Sequence, residues 1–328
     1  MPKSQILNAS VTDSTLTTTK LATPNLGRRN LIVNSQMEVA QRGVSASSKT
    51  TSDYFTCDRW RTEASGATYN TSQQTNSASD MATTGAKHFL RMEVTTGNNN
   101  AGISQKIEAK NIRQFKGEKL TLSFYAKGTN PNGGSFDVRR QFSDGVNTSA
   151  TRENTSLTVT SSWVKYTITF DYPDEGSVDL TLNTAKMALS FLQPDGDTST
   201  NAWTLDLTSV QLEVGSQATP LEHLSFGEQL ALCQRYFETG EVTSVASFIT
   251  NTVVLGNIFY KITKRATPTI AYTTNFTLYV ESSVPTLSGH TANFIGTTAF
   301  ALRAISSSSR NGKAAHLRNG VYTADSEL

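Results

Sequence analysis

The sequence predicts a mainly β fold. An extended N-terminal arm leads into an antiparallel jelly-roll sandwich, followed by a short helix and a small C-terminal β-domain. Three observations predict it. Hydrophobic residues are 37% of the 328 and charged residues only 17%, with Ser, Thr and Asn filling much of the rest. Such a composition suits strands with one wetted face better than helices. Many short runs alternate apolar and polar residues and are separated by turn residues, as in sandwiches and jelly rolls. One stretch, Trp203 to Phe237, ends this texture with a strand, two chain breakers and a helical pattern.

The arm, residues 1–29, carries many Ser and Thr and few large apolar groups. Alone it buries too little surface to offset its ordering entropy, so it is expected to order against neighbouring subunits or a larger particle. Its apolar residues Val11, Leu16, Leu21 and Leu26 are the expected attachment contacts.

Residues 30–222 read as successive strands. Leu90, Met92 and Val94 share a face. So do Leu120, Leu122, Phe124 and Ala126, with Thr121, Ser123, Tyr125 and Lys127 opposite. Phe136, Val138 and Phe142 alternate around Arg140. Val164, Tyr166, Ile168 and Phe170 point inward, which turns Trp163 outward. Val178, Leu180 and Leu182 suggest one more strand, and Met187, Leu189 and Phe191 the next. In the last strand the phase slips between Leu207 and Val210, which predicts a β-bulge. Turns are expected at Gly97 to Asn100, Asn130 to Gly134, Pro173 to Gly176 and Pro194 to Asp197.

Residues 223–240 form the hinge helix. Ser225 and Glu228 have capping-box spacing, and Phe226, Leu230, Cys233 and Phe237 form one apolar stripe. Residues 241–328 are again β-like, with rows Ile258/Tyr260/Ile262, Phe276/Leu278/Val280 and Phe300/Leu302/Ala304. This segment lacks tryptophan and its core looks thin, which oligomerisation would remedy.

A net charge of +2 gives no bulk attraction to nucleic acid or acidic lipid. Cys57 and Cys233 are expected to be buried free thiols. The N-terminus has no apolar stretch of signal-peptide type and no run reaches membrane-spanning length, so assembly in a cytoplasm is expected. HExxH, P-loop, GxGxxG and GxSxG motifs are absent, and no enzymatic activity is expected. The four histidines have no ligand-like spacing and are expected at surface or turn positions. A carboxylate pair such as Glu175 and Asp197 could face a sugar, but nothing singles one out. Asp58 and Arg59, beside Trp60, suggest a buried pair that pins the opening segment.

Four stretches carry a family resemblance. They are NLIVNSQMEVAQRG (Asn30 to Gly43), DYFTCDRW (Asp53 to Trp60), QLEVGSQATPLEHLSFGEQLALCQRYF (Gln211 to Phe237) and YTADSEL (Tyr322 to Leu328). Together they resemble tail-fibre-like structural proteins of bacteriophages that carry a jelly roll of carbohydrate-binding-module type. The resemblance implies a virion protein, assembled as a homotrimer in the host cytoplasm and attached to other tail or capsid proteins through its arm. It also implies a structural Ca²⁺ held by Glu38 and Asp206. Asp206 could instead face solvent or pair with an arginine, and the Gly-Phe lead-in usual before that glutamate is missing. Host-surface glycan would stack on exposed aromatics, with Trp163 and Tyr125 the candidates. Packing under a loop or against a neighbouring subunit is the alternative for Trp163. The leading function is a tail fibre or fibre-like appendage in host attachment. A head, neck or tail decoration protein is the second reading, and a polysaccharide depolymerase the third.

Overall fold

The structure, a computed structural model, describes residues 28–97, 101–129, 135–149, 153–194, 202–274, 276–281 and 283–328. Val11, Leu16, Leu21 and Leu26 lie outside the described residues, as do the turn residues 98–100 and 130–134 and Asp197.

The alternating rows make two antiparallel sheets across one core. Strands are numbered in chain order. The six-stranded sheet runs β1 (Ser45–Lys49), β3 (Ala67–Thr75), β4 (His88–Gly97), β11 (Trp203–Val214), β6 (Lys119–Thr129) and β9 (Val164–Asp171). The five-stranded sheet runs β2 (Trp60–Glu63), β5 (Gly102–Glu108), β10 (Lys186–Leu192), β7 (Ser135–Ser143) and β8 (Glu153–Thr158). Phe124 of the first sheet meets Phe191 and Phe136 of the second, at centroid distances of 4.9 and 6.4 Å, and Trp60 lies 6.4 Å from Phe191. These rings interlock in edge-to-face and tilted pairs, the geometry their quadrupoles favour.

The phase slip in β11 is a bulge. Its register against β6 shifts between Thr208 and Gln211, and Ser209 takes φ +52°. The bulge releases main-chain groups that the opening segment takes up: Val210 N donates to Ser35 O and Asn30 Nδ2 to Val210 O. One row is more deeply buried than alternation alone suggests, and one expected strand is absent from the described residues. Thr121 and Ser123 are buried although their side chains leave the core face, and the Thr121 hydroxyl donates to Gly215 O as the chain after β11 folds back. Val178 to Leu182 is a turn, because the Asp179 carboxylate accepts the Thr181 N–H and hydroxyl, a local bond that competes with a strand ladder.

Among the described residues three short α-helices serve the sheets. Helix α1 (Ala78–Thr84), capped by Ser77 and by Gly85 at φ +70°, lies beside the six-stranded sheet, where Ser209 Oγ donates to Thr84 O. The single turn α2 (Ala109–Ile112) follows β5. Helix α3 (Phe226–Gln234) has the reciprocal Ser225–Glu228 capping box. The proposed apolar stripe is not its buried face, however. Phe226 is 57% exposed and Phe237 already belongs to a strand, leaving Cys233 and Leu230 against Val33 and Val39.

Past α3 the described strands form one sheet, ordered β14 (Thr269–Thr274), β18 (Ala314–Asp325), β12 (Phe237–Phe248), β13 (Val253–Phe259), β17 (Ala299–Ser306) and β16 (Leu287–Asn293). A short β15 (Thr277–Tyr279) also pairs with β18. The sheet curls around its own core, which includes Tyr260, Phe300, Leu302, Leu317 and Tyr322. Its two edges meet through side chains. The His290 ring of β16 sits 4.9 Å from Tyr272 of β14 and 4.6 Å from Phe276, just before β15.

Candidate functional site

The four stretches that carry the family resemblance lie far apart in sequence and converge at one place, the joint between the jelly roll and the curled sheet. Asn34 organises the first two. It takes φ +56°, a conformation asparagine tolerates better than most residues. Its amide donates to Val39 O and Asp58 O and accepts from Val39 N, and its carbonyl accepts from the Trp60 indole. Its N–H donates to the Gln229 side chain on α3, which ties in the third stretch. Glu222 receives the N–H groups of Arg29 and Asn30 at 2.9 and 2.7 Å.

The fourth stretch closes the joint through charge. Arg42 stacks 3.6 Å from the Phe237 ring and bonds Asp325 at 3.0 Å and Glu327 at 3.5 Å. Arg59, at φ +71°, stacks 3.5 Å from the Tyr236 ring and pairs with Glu327. Asp58 and Arg59 are both buried but do not pair with each other, contrary to the sequence expectation. Asp58 instead accepts from the Gln41 main chain and side chain, and Arg42 stands 3.9 Å away. Adjacent side chains in this turn diverge, so each reaches a different body. Ser326 N donates to Tyr236 O at 2.7 Å, and Arg265 donates to Ser326 O and Asn183 O.

Glu108 anchors the chain beneath this network. Burial pushes its carboxyl upward, but donors from Lys110, Tyr236 and Arg235 outweigh that and pull it down to about 2. In the curled sheet, Lys264 and Glu238 form a fully buried pair at 2.6 Å, and the Tyr322 hydroxyl donates to the same carboxylate. Every charged group here has several partners, the condition under which buried charge is tolerated. Cys57 and Cys233 are free and buried, and burial raises both thiols, which makes them poor nucleophiles.

The predicted glycan residues lie elsewhere. Trp163 precedes β9 and meets Phe89 edge to face at 5.3 Å, with Lys127 Nζ 4.7 Å from its centroid. Tyr125 is two residues before Lys127 on the same strand face and stands opposite Lys165. Both candidates are half-buried. The Lys127 ammonium holds one face of the Trp163 ring, so stacking on a pyranose needs the other face.

Of the two residues named for the implied Ca²⁺, Glu38 and Asp206, the second is already paired. Both oxygens of Asp206 accept from Arg91 at 2.7 Å in a bidentate pair, which leaves the carboxylate charge-compensated. Among the described residues no group of three or more His, Cys, Asp or Glu comes together as a metal site. The arginine partner stands across the strand pair, Asp206 opposite Arg91, a register that sequence spacing does not display. Glu175 pairs with Lys116 at the surface.

Sequence reasoning missed His290. It is a half-buried strand histidine and the wedge that joins the two sheet edges, and only the curl of the sheet brings Tyr272 and Phe276 to it.

No family model matches this chain, and no curated protein does. Among solved structures, a CBM4 module is similar at 22% identity over 39% of this chain and 84% of that one, with TM-score 0.28. A family 11 carbohydrate-binding module from a cellulosomal cellulase of Clostridium thermocellum is similar at 15% identity over 54% of this chain and 97% of that one, with TM-score 0.32. The enzymatically active domain of bacteriophage CBA120 tailspike protein 4 is similar at 14% identity, with TM-score 0.35. That likeness covers 57% of this chain and only 21% of the tailspike chain.

Proposed function

We propose that the chain is a non-enzymatic structural component of a bacteriophage virion, a fibre or fibre-like appendage that contributes to host-surface attachment. The observation that carries this reading is the convergence of the four family-like stretches on the joint. The residues that resemble fibre proteins are those that fix one β-body on another through buried ion pairs and stacked arginines. A rigid coupling of two β-bodies is what an appendage needs to transmit position from particle to cell. Val245 and Phe259, each 73% exposed on adjacent strands β12 and β13, support self-association of the C-terminal body, and a trimer is the form proposed. The arm residues Val11, Leu16, Leu21 and Leu26 would bind other virion proteins. Affinity for cells would come from repeated weak sites on one particle.

Light scattering of the full chain, paired with adsorption of the labelled protein to cells of the phage's host, tests this reading. A stable trimer that adsorbs to cells is expected. A chain that binds purified capsids or tails and no cells overturns the attachment role in favour of a decoration protein. New reducing ends released from host polysaccharide would make it a depolymerase.

A further inference from the structure

The seam of the C-terminal body holds a pocket of about 500 Å³ that the attachment reading does not itself assign. We infer that this seam pocket is a binding site for a neutral sugar of the host surface, an inference that rests on that reading.

The pocket exists because the curled sheet does not close by hydrogen bonds. Among the described residues β15 pairs only with β18 and β16 only with β17, so each turns an unpaired edge toward the seam. The pocket's apolar lining is Val284, Pro285 and Leu287, next to the buried Phe276 and Leu278. Thr277, Thr286, Ser288 and His290 supply its polar lining. Among the described residues no Asp, Glu, Lys or Arg lines it. This mixture of apolar surface and a few neutral polar groups matches a pyranose, with its C–H faces and ring of hydroxyls, and gives a charged ligand no counter-ion.

His290 makes the site preorganised. Tyr272 and Phe276 grip its ring from the opposite sheet edge, nearly perpendicular to Tyr272 at 87°. Neither ring nitrogen hydrogen-bonds a described residue, so both are available to a ligand. Ser288 donates to Ile305 O at 3.3 Å and keeps its acceptor capacity. The volume lies within the range of small-molecule sites.

The test is saturation-transfer NMR of the full-length protein against glucose, galactose and N-acetylglucosamine and their β-linked disaccharides, beside cell adsorption. Ser288→Trp fills the pocket from an exposed rim position. The double variant Thr277→Val/Thr286→Val removes two hydroxyls at nearly constant volume. Thermal melting confirms that each variant is folded. Saturation transfer to at least one sugar is expected from the wild type, abolished by Ser288→Trp and weakened roughly tenfold in the double variant. Saturation transfer and adsorption that survive both variants unchanged overturn the seam site and leave the attachment reading standing. A signal lost in Trp163→Ala but kept in Ser288→Trp moves the sugar to the jelly roll. A wild-type protein that adsorbs to cells but gives no transfer from any of these sugars also overturns the site. Failure of the wild type to adsorb at all overturns the attachment reading itself.

Discussion

Glu108 shows how much one buried side chain can be asked to do. Arg235, Tyr236 and Lys110 all donate to it, and they hold its carboxyl at about 2 against the ordinary 4.5. A folded-state value below the unfolded one means that the contribution is fully present above pH 4.5 and drains away as pH falls toward 2. Urea midpoints measured across that window should fall for the wild type. Glu108→Gln, which titrates no carboxyl, should be less stable at neutral pH and lose less on acidification. Equal slopes for the two proteins would remove Glu108 from the acid response. The window and its sign follow from the donors, which no local sequence feature announces.

At the scale of elements, α3 is short, and nine residues are too few for a helix to hold in isolation. Its start is fixed by the Ser225–Glu228 capping box, and its position by Cys233 and Leu230 packing on Val33 and Val39. Ser225→Ala should cost about 1 kcal/mol in denaturant unfolding, because the cap satisfies the Glu228 N–H. An unchanged midpoint would mean that tertiary packing alone holds the helix. The capping box was legible because it is a spacing rule. The stripe was misread because periodicity does not say where a helix ends, and Phe237 starts β12 instead. The bulge in β11 was legible as a break in alternation. That it hands Val210 to Asn30 and Ser35 was not.

For the whole molecule the joint decides whether two β-bodies behave as one. Arg59 is buried and its pairing with Glu327 crosses from the opening stretch to the last strand's exit. Glu327→Gln leaves that guanidinium short of a counter-charge and should cost about 3 kcal/mol. Because the lost contact lies between bodies, calorimetry should resolve two transitions in the variant and one in the wild type. Arg59→Met with Glu327→Leu should recover much of the loss, since apolar replacement of a buried pair is often neutral. A single transition in Glu327→Gln would show that Arg42, Arg235 and Arg265 suffice to couple the bodies.

The sequence by itself determined the β class, the bulge, the helix cap, the free thiols and most strand rows (Val178 to Leu182 and the Tyr260–Ile262 end of another row excepted), because each is written in local periodicity, spacing or composition. It also marked the four stretches that matter, without saying that they meet. Only the tertiary structure decided partners: Asp206 with Arg91, Asp58 with Gln41, Arg59 with Glu327, and His290 between Tyr272 and Phe276. Strand alternation fixes which face a side chain leaves by. Register, curl and the meeting of distant segments fix what it finds there, and those depend on contacts between residues up to nearly 300 positions apart.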